Sequence, residues 1–371
     1  MKKRVIMLTA LAVAVCGIFA GCSKTGTETK SSTKSVTSAT SSVASSTAST
    51  KSETKTDDAN KKFSVVCTIF PEYDWIRQLV GDKKDNYEIT YLLDKGVDLH
   101  SYQPTAEDIA KIANCDLFVY VGGESDGWVN DALKESKNDK MQVVNLLETL
   151  GKNVKPEEVV EGMQEEDEHD HDHDDKDHDH DDKDHDHDHE EETEYDEHVW
   201  LSLRNATALV NTLAEKLQTI DPENKDYYAT TAADYTAKLG DLDSRYLATI
   251  KKAKVKTVLF GDRFPFRYLV DDYGLKYYAA FVGCSAETEA SFETVAFLAK
   301  KTDDLKLKSV LVIENSDQKI AKKIVETTKD KSQNIVVLNS MQSITNEDIA
   351  NGATYLSIME SNLKALASAL K

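Results

Sequence analysis

Short apolar runs alternate with segments of helical spacing along two long stretches of the chain. In the first stretch, residues 61–160, apolar runs of strand length are separated by segments whose apolar residues recur every three to four positions. This order predicts a mostly parallel sheet that is covered by helices. The predicted strands are Phe63–Phe70, Glu88–Leu93, Leu117–Val121 and Gln142–Leu146, and the predicted helices are Glu72–Val80, Thr105–Ala113 and Asp126–Glu135.

The second stretch, residues 254–371, has the same pattern and predicts a second α/β lobe. A long helical segment, residues 221–253, lies between the two lobes. Asp221 can cap this helix and Pro222 suits its first turn, so we expect one rigid helix of ~45 Å between the lobes. The strands predicted in the second lobe are Val255–Phe260, Leu275–Phe281, Ser309–Ile313 and Asn334–Leu338, and its helices are Phe264–Asp271, Phe292–Lys300, Ser316–Thr328 and Ala353–Leu370.

The start of the chain has the pattern of an export signal. Three basic residues precede the apolar run Val5–Ala20, and small residues lead into Cys22. We interpret residues 1–21 as a lipoprotein signal that is cleaved before Cys22, with lipid on its sulfur; an uncleaved anchor helix is the alternative. Residues 22–60 are rich in Ser and Thr and predict a flexible tether. Both versions place the protein outside the bacterial cytoplasm, anchored to the outer face of the cell membrane.

The acidity of the chain is concentrated in one segment. Of the net charge of −21, the stretch Glu165–Glu197 carries −19, from 21 acidic residues and two Lys. The other 338 positions are nearly neutral, with 45 acidic and 43 basic residues. This balance argues against nucleic acid as a partner, because a nucleic-acid binder needs a basic face.

Histidine is concentrated in the same acidic segment, residues 161–197. Eight of the ten histidines lie there, in a repeat of the letters HDHDDKD. Imidazole binds zinc and similar ions, and many similar ligands on a flexible strand should bind several ions weakly. We therefore expect auxiliary metal capture, with a solvated acidic insertion as the alternative. The histidines of this tract are His169, His171, His173, His178, His180, His185, His187 and His189.

The remaining two histidines carry a resemblance to a family. His100 lies in GVDLHSYQPTAEDIAKI and His198 in DEHVWLSLRNA. With LFVYVGGESDGWVNDAL, these segments resemble the zinc- and manganese-binding lipoproteins of bacterial ABC importers, the cluster A-I solute-binding proteins. The resemblance implies two lobes joined by the long helix, with an ion held between the lobes. Residues 198–220 then form the end of the first lobe. It gives ligand roles to His100 and His198, and implies a membrane ABC permease as partner. We expect a monomer.

The resemblance fails at two of the remaining ligand positions. The position of a third ligand holds Arg263, and a guanidinium cannot bind a cation; the adjacent Asp262 can take over if the loop is shifted. The position of a fourth ligand, often Asp, holds Asn339. In the segment GCSAETEAS, Cys284 and Glu287 are possible extra donors, with structural roles as the alternative.

Ligand chemistry favours zinc over manganese. Two imidazoles with one carboxylate suit Zn²⁺, and a thiolate from Cys284 adds to that preference. Manganese is possible, because Asp262, Glu287 and Asn339 together offer oxygen donors. We therefore predict a zinc-capturing receptor and not an enzyme. The alternatives are a manganese receptor, a surface zinc buffer or adhesin, and a zinc hydrolase, which no HExxH helix supports.

Overall fold

The computed structural model describes residues 62–164, 194–285 and 289–371. The predicted signal and tether, Cys22, the histidine tract and Glu287 lie outside the described residues. The first sheet has four parallel strands in the order β2-β1-β3-β4. Its strands are β1 (Phe63–Cys67), β2 (Tyr87–Tyr91), β3 (Leu117–Tyr120) and β4 (Gln142–Asn145), and its helices are α1 (Phe70–Val80), α2 (Ala106–Asn114), α3 (Val129–Lys134) and α4 (Leu146–Leu150).

Two long helices follow the first sheet. Helix α5 (Leu203–Ile220) begins at Ser202, whose hydroxyl accepts a hydrogen bond from the amide of Asn205. Helix α6 (Lys225–Lys252) has 28 residues, a length of ~42 Å. It starts later than predicted, since residues 222–224 form a separate 3₁₀ turn. The carboxylate of Asp221 is not its cap, because it accepts a hydrogen bond of 2.6 Å from the hydroxyl of Tyr228.

The second sheet has the same strand order as the first. Strands β5 and β6 are parallel, as are β7 and β8, and a parallel bridge from Phe260 to Leu311 joins the two pairs. Helix α6 packs against α1 and α5 and also against helices of the second sheet. The strands are β5 (Thr257–Leu259), β6 (Lys276–Tyr278), β7 (Ser309–Ile313) and β8 (Asn334–Leu338), and the helices are α7 (Arg267–Tyr273), α8 (Phe292–Asp304), α9 (Lys319–Thr327), α10 (Asn346–Ala350) and α11 (Tyr355–Ala369).

The strands are the elements that the sequence pattern predicts best. Each predicted strand is present, although several are shorter than predicted. The helices α4, α5 and α10 are not among the helices predicted with bounds. Of these, α4 and α10 are only five residues long, too short to show a helical period. Within the described part of the chain, no helix combines the length and the apolar character that crossing a bilayer requires.

Candidate metal centre

His100 lies in a short 3₁₀ turn, Leu99–Ser101, in the connection from β2 to α2. The carboxylate of Asp98 caps this turn by accepting a hydrogen bond from the backbone amide of His100, at 3.1 Å. The Nδ1 atom of the His100 ring lies 2.7 Å from the hydroxyl of Ser125. The first contact positions the backbone of His100 and the second positions its ring, whose Nε2 atom faces the second histidine.

His198 directly precedes the turn that leads into α5, and its side chain is fully buried. The carboxylate of Asp196 lies 2.8 Å from the backbone amide and 3.0 Å from Nδ1 of His198. A carboxylate can only accept at this distance, so Nδ1 carries the proton and Nε2 keeps its lone pair. This is the arrangement by which proteins orient metal-binding imidazoles.

The two rings are arranged as a pair of metal ligands. The Nε2 atoms of His100 and His198 are 3.2 Å apart. Two ligands ~2.0–2.1 Å from a tetrahedral zinc ion are separated by a similar distance, ~3.3 Å. Burial, the neighbouring His198 ring and the cation of Arg263 lower the pKa of His100 to about 2. His100 is therefore neutral near pH 7 and able to donate its lone pair.

Cys284 completes a cluster of possible ligand atoms with the two histidines. One donor atom from each of the three residues lies within 4.8 Å of the others. The backbone amide of Cys284 donates to the carboxylate of Glu157, at 3.2 Å. Burial raises the pKa of the Cys284 thiol, and the carboxylates of Glu157 and Glu197 raise it further. In the metal-free protein this sulfur is a neutral thiol.

Gln342 also reaches the site, and the sequence analysis missed it. Its side chain is almost fully buried, and its amide nitrogen lies 3.0 Å from Nε2 of each histidine. Gln342 follows β8 by four positions, in the loop that contains Asn339. In the sequence, its place in that loop was the only indication that Gln342 reaches the site, since glutamine is seldom considered as a metal ligand.

Arg263 forms an ion pair with Asp98. The two residues come from different sheets, and the other oxygen of the Asp98 carboxylate caps the turn of His100. The ion pair therefore fastens the connection after β5 to the loop that carries His100.

Two other predicted ligands, Asp262 and Asn339, have partners of their own. One carboxylate oxygen of Asp262 accepts from the backbone amide of Arg263, and Asp262 is not in the described cluster of ligand atoms. The side-chain oxygen of Asn339 accepts from the backbone amide of Met341, at 2.8 Å, and so stabilises its own turn. The structure thus brings together His100, His198 and Cys284 but does not add Asp262 to them.

A pocket of about 280 Å³ opens beside the cluster. His100 and Cys284 are among the residues that line it, and four glutamates share the lining. Carboxylates around a pocket raise the local concentration of cations. The glutamates are Glu124, Glu157, Glu194 and Glu197.

Comparison with known proteins identifies the family of the chain. Residues 65–369 match the family described as "ZnuA: Zinc-uptake complex component A periplasmic". The chain belongs to this family. It is a family of solute-binding transport proteins rather than enzymes, in agreement with the expectation of a carrier.

Two relatives and one solved structure show how far the similarity extends. The chain is 33% identical over 314 residues to the high-affinity zinc uptake system protein ZnuA of Bacillus subtilis (strain 168), covering 85% of this chain and 89% of that protein. It is 33% identical over 308 residues to the zinc-binding lipoprotein AdcA of Streptococcus pneumoniae (strain R6), covering 83% of this chain but only 56% of AdcA. The chain therefore spans about half the length of AdcA. The crystal structure of the Zn(II)-bound ZnuA-like domain of S. pneumoniae AdcA matches with a TM-score of 0.61 and 28% identity, covering 83% of this chain and 99% of that domain.

Replacing Arg263 with alanine should lower the free energy of unfolding by about 1–3 kcal/mol, because the partly buried Asp98 loses a charged hydrogen-bond partner. In the variant that already lacks Arg263, replacing Asp98 with asparagine should lower the free energy of unfolding only a little further. Urea unfolding of the two single variants and the double variant, as a double-mutant cycle, measures this. Arg245→Ala serves as the control. Arg245 pairs with Glu360 on the exposed surface, where a salt bridge contributes less than about 1 kcal/mol. If the losses of unfolding free energy in the Arg263 and Asp98 variants simply add in the double variant, the two residues are not paired.

Proposed function

We propose that this chain is the extracytoplasmic receptor of a zinc importer, which captures one zinc ion on His100 and His198 and delivers it to a membrane ABC permease. The observation that carries the proposal is the facing pair of Nε2 atoms, 3.2 Å apart. Both Nδ1 atoms have other partners, so the Nε2 atoms are the ring nitrogens left to face a cation. The zinc named for the relatives supports the choice of ion.

The donors near the histidine pair support zinc over manganese. Among the described residues, the third member of the ligand cluster is a sulfur atom and no carboxylate belongs to it. Nitrogen and sulfur donors suit zinc, whereas manganese prefers oxygen. We therefore keep zinc as the cargo.

The N-terminal segment and the long helix suggest how the receptor is anchored and how its lobes are connected. We propose a monomer that is exported by residues 1–21, lipidated at Cys22 and held to the outer face of the membrane by residues 22–60. Helix α6, within the predicted linking segment 221–253, contacts helices of both sheets, which supports its role as the rigid connection. A rigid connection limits the hinge motion available for loading and release.

The histidine tract is proposed as an auxiliary capture segment. It supplies many weak ligands, and the acidic pocket beside the cluster also attracts cations. Weak binding on the tract raises the local zinc concentration without replacing the buried site. We therefore expect the tract to be dispensable for tight binding.

The test is a competitive zinc titration of a chain that lacks residues 165–193. This deletion keeps Asp196, which orients His198, and Glu194, whose carbonyl accepts from the amide of Glu157. We expect the shortened chain to retain one tight zinc site and to lose it when His100 is replaced by alanine. If the deletion itself removes all tight binding, the protein is a surface zinc buffer and the receptor proposal is wrong.

A further inference from the structure

Zinc in a stable protein site takes four ligands, and the two histidines supply only two. The resemblance places the others at Arg263 and Asn339, yet neither offers a donor to the ion. Arg263 is a cation that is paired with Asp98. The side-chain oxygen of Asn339 is held by the amide of Met341. The remaining ligands must come from other residues that reach the histidine pair.

Cys284 is built into the site by the backbone around it. The preceding residue, Gly283, packs against His198: a Cβ atom added there would lie 3.0 Å from Cε1 and 3.1 Å from Nδ1 of the ring, and 3.0 Å from the carbonyl oxygen of Phe264. Such contacts are tighter than side chains normally tolerate, so a glycine lets the loop approach the ring closely. This approach brings the sulfur of Cys284 into the ligand cluster.

Gln342 is positioned by a buried polar network. The carboxylate of Glu314 accepts from the backbone amides of Ser340 and Gln342, at 2.6 and 3.1 Å, and from the hydroxyl of Ser340, at 2.8 Å. The same hydroxyl lies 2.9 Å from the side-chain oxygen of Gln342. A serine hydroxyl has one hydrogen, and it cannot donate fully to both oxygens.

A half-turn of the Gln342 amide resolves this conflict. The amide nitrogen then donates to the hydroxyl of Ser340, which donates to Glu314, and the amide oxygen faces the two Nε2 atoms. The oxygen and nitrogen of an amide differ little in position, so the turned oxygen lies about 3 Å from each ring nitrogen. That spacing again approaches the edge of a tetrahedral zinc site, ~3.3 Å. Without an ion, the present orientation lets the NH₂ group donate to both imidazoles.

We propose that zinc is held by His100, His198, the thiolate of Cys284 and the side-chain oxygen of Gln342, with the last two replacing the ligands of the usual family positions. The inference rests on the proposed function and deepens it. When the ion binds, the S–H bond of Cys284 breaks, a sulfur–metal bond forms and the proton leaves to water. Because sulfur is a soft ligand, the site selects Zn²⁺ and Cd²⁺ and discriminates against Mn²⁺.

Cobalt substitution of the full chain tests the sulfur ligand directly. Co²⁺ bound by a thiolate gives an intense charge-transfer absorption, and the histidine tract contains no cysteine that could produce one. We expect the absorption in the unaltered chain and in Cys115→Ser, whose cysteine is buried elsewhere, and its loss in Cys284→Ser. Absence of the absorption in the unaltered chain, or its persistence in Cys284→Ser, overturns the inference.

Zinc and manganese titrations test the amide ligand and separate this inference from the proposed function. Gln342→Leu should weaken zinc binding by ~10-fold or more, whereas Gln342→Glu, which introduces a carboxylate, should keep zinc and improve manganese binding. The matched control is Gln333→Leu, a glutamine at the other end of β8, whose side-chain oxygen accepts a hydrogen bond from the hydroxyl of Thr328. If His198→Ala abolishes tight zinc binding while Cys284→Ser and Gln342→Leu leave it unchanged, the receptor proposal stands and these two ligands are wrong. If the unaltered chain binds no zinc tightly, both proposals fail.

Discussion

Replacing His198 with alanine should lower the zinc affinity of this protein by at least ~100-fold, since loss of a ligand exceeds the ~10–100-fold cost of losing a partner that orients one. His198 is fully buried, so its Nε2 atom is shielded from bulk water. Its ring is oriented by Asp196, and among the described residues the cluster of possible ligand atoms contains only His100 and Cys284 besides His198. Competition with a chelator of known affinity measures the effect.

Two further variants make this result specific. His169→Ala removes a histidine of the tract and should leave the tight site unchanged. Asp196→Asn keeps the shape of the side chain but weakens the contact to Nδ1, so zinc affinity should fall by ~10–100-fold. A loss of affinity in His169→Ala as large as in His198→Ala would place the tight site in the tract.

Two buried acids in the first lobe should make stability fall as pH rises. Glu72 of α1 and Asp126 after β3 are almost fully buried. Within the described chain, one oxygen of each carboxyl group has no hydrogen-bond partner. Burial raises the pKa of Glu72 to about 8, and the charge of Asp126 adds to the rise. Burial also raises the pKa of Asp126, to about 7.

The direction of the effect follows from the protons that each state binds. Between about pH 4 and pH 8 the folded protein holds protons that the unfolded chain has released, so the free energy of unfolding falls with rising pH. Because one pKa unit corresponds to about 1.4 kcal/mol, we expect a fall of several kcal/mol across this range. Denaturant unfolding of the metal-free protein at pH 5 and pH 8.5 measures it.

Glu72→Gln should reduce this pH dependence and stabilise the protein at pH 8.5. Glutamine can still accept the hydrogen bonds from the amides of Thr68 and Ile69, and it carries no charge. The exposed Glu88→Gln is the matched control and should leave the slope of stability against pH unchanged. An unchanged slope in Glu72→Gln would show that this acid is not the cause.

The fold was predictable because parallel strands that are buried on both faces read as continuous apolar runs. Strand β3, buried along its whole length, and strand β7 are examples. The beginning of α6 was less predictable. The signals at Asp221 and Pro222 suit a helix start, but the hydroxyl of Tyr228 engages the Asp221 carboxylate. That contact depends on packing, which a pattern of residues does not report.

The candidate site was predictable only in part. His100 and His198 stood out because every other histidine lies in the tract. The hydrogen-bond partners of Arg263 and Asn339 could not be predicted. Arg263 pairs with Asp98, which is distant in sequence, and the contact of Asn339 with Met341 depends on the shape of a turn. Gln342 was not predicted, because a glutamine in a sequence does not indicate a metal site unless its contacts with the two histidines are known.

The sequence alone determined the α/β pattern of both lobes, the acidic histidine tract and the two histidines on which the metal proposal rests. These features are local: they depend on periodicity, composition and the identity of single residues. The tertiary structure decided that Arg263 binds Asp98, that Gly283 admits Cys284 to the histidine pair, and that Gln342 lies against both rings. Those contacts join residues from both sheets, and only the packing of the chain brings such residues within bonding distance.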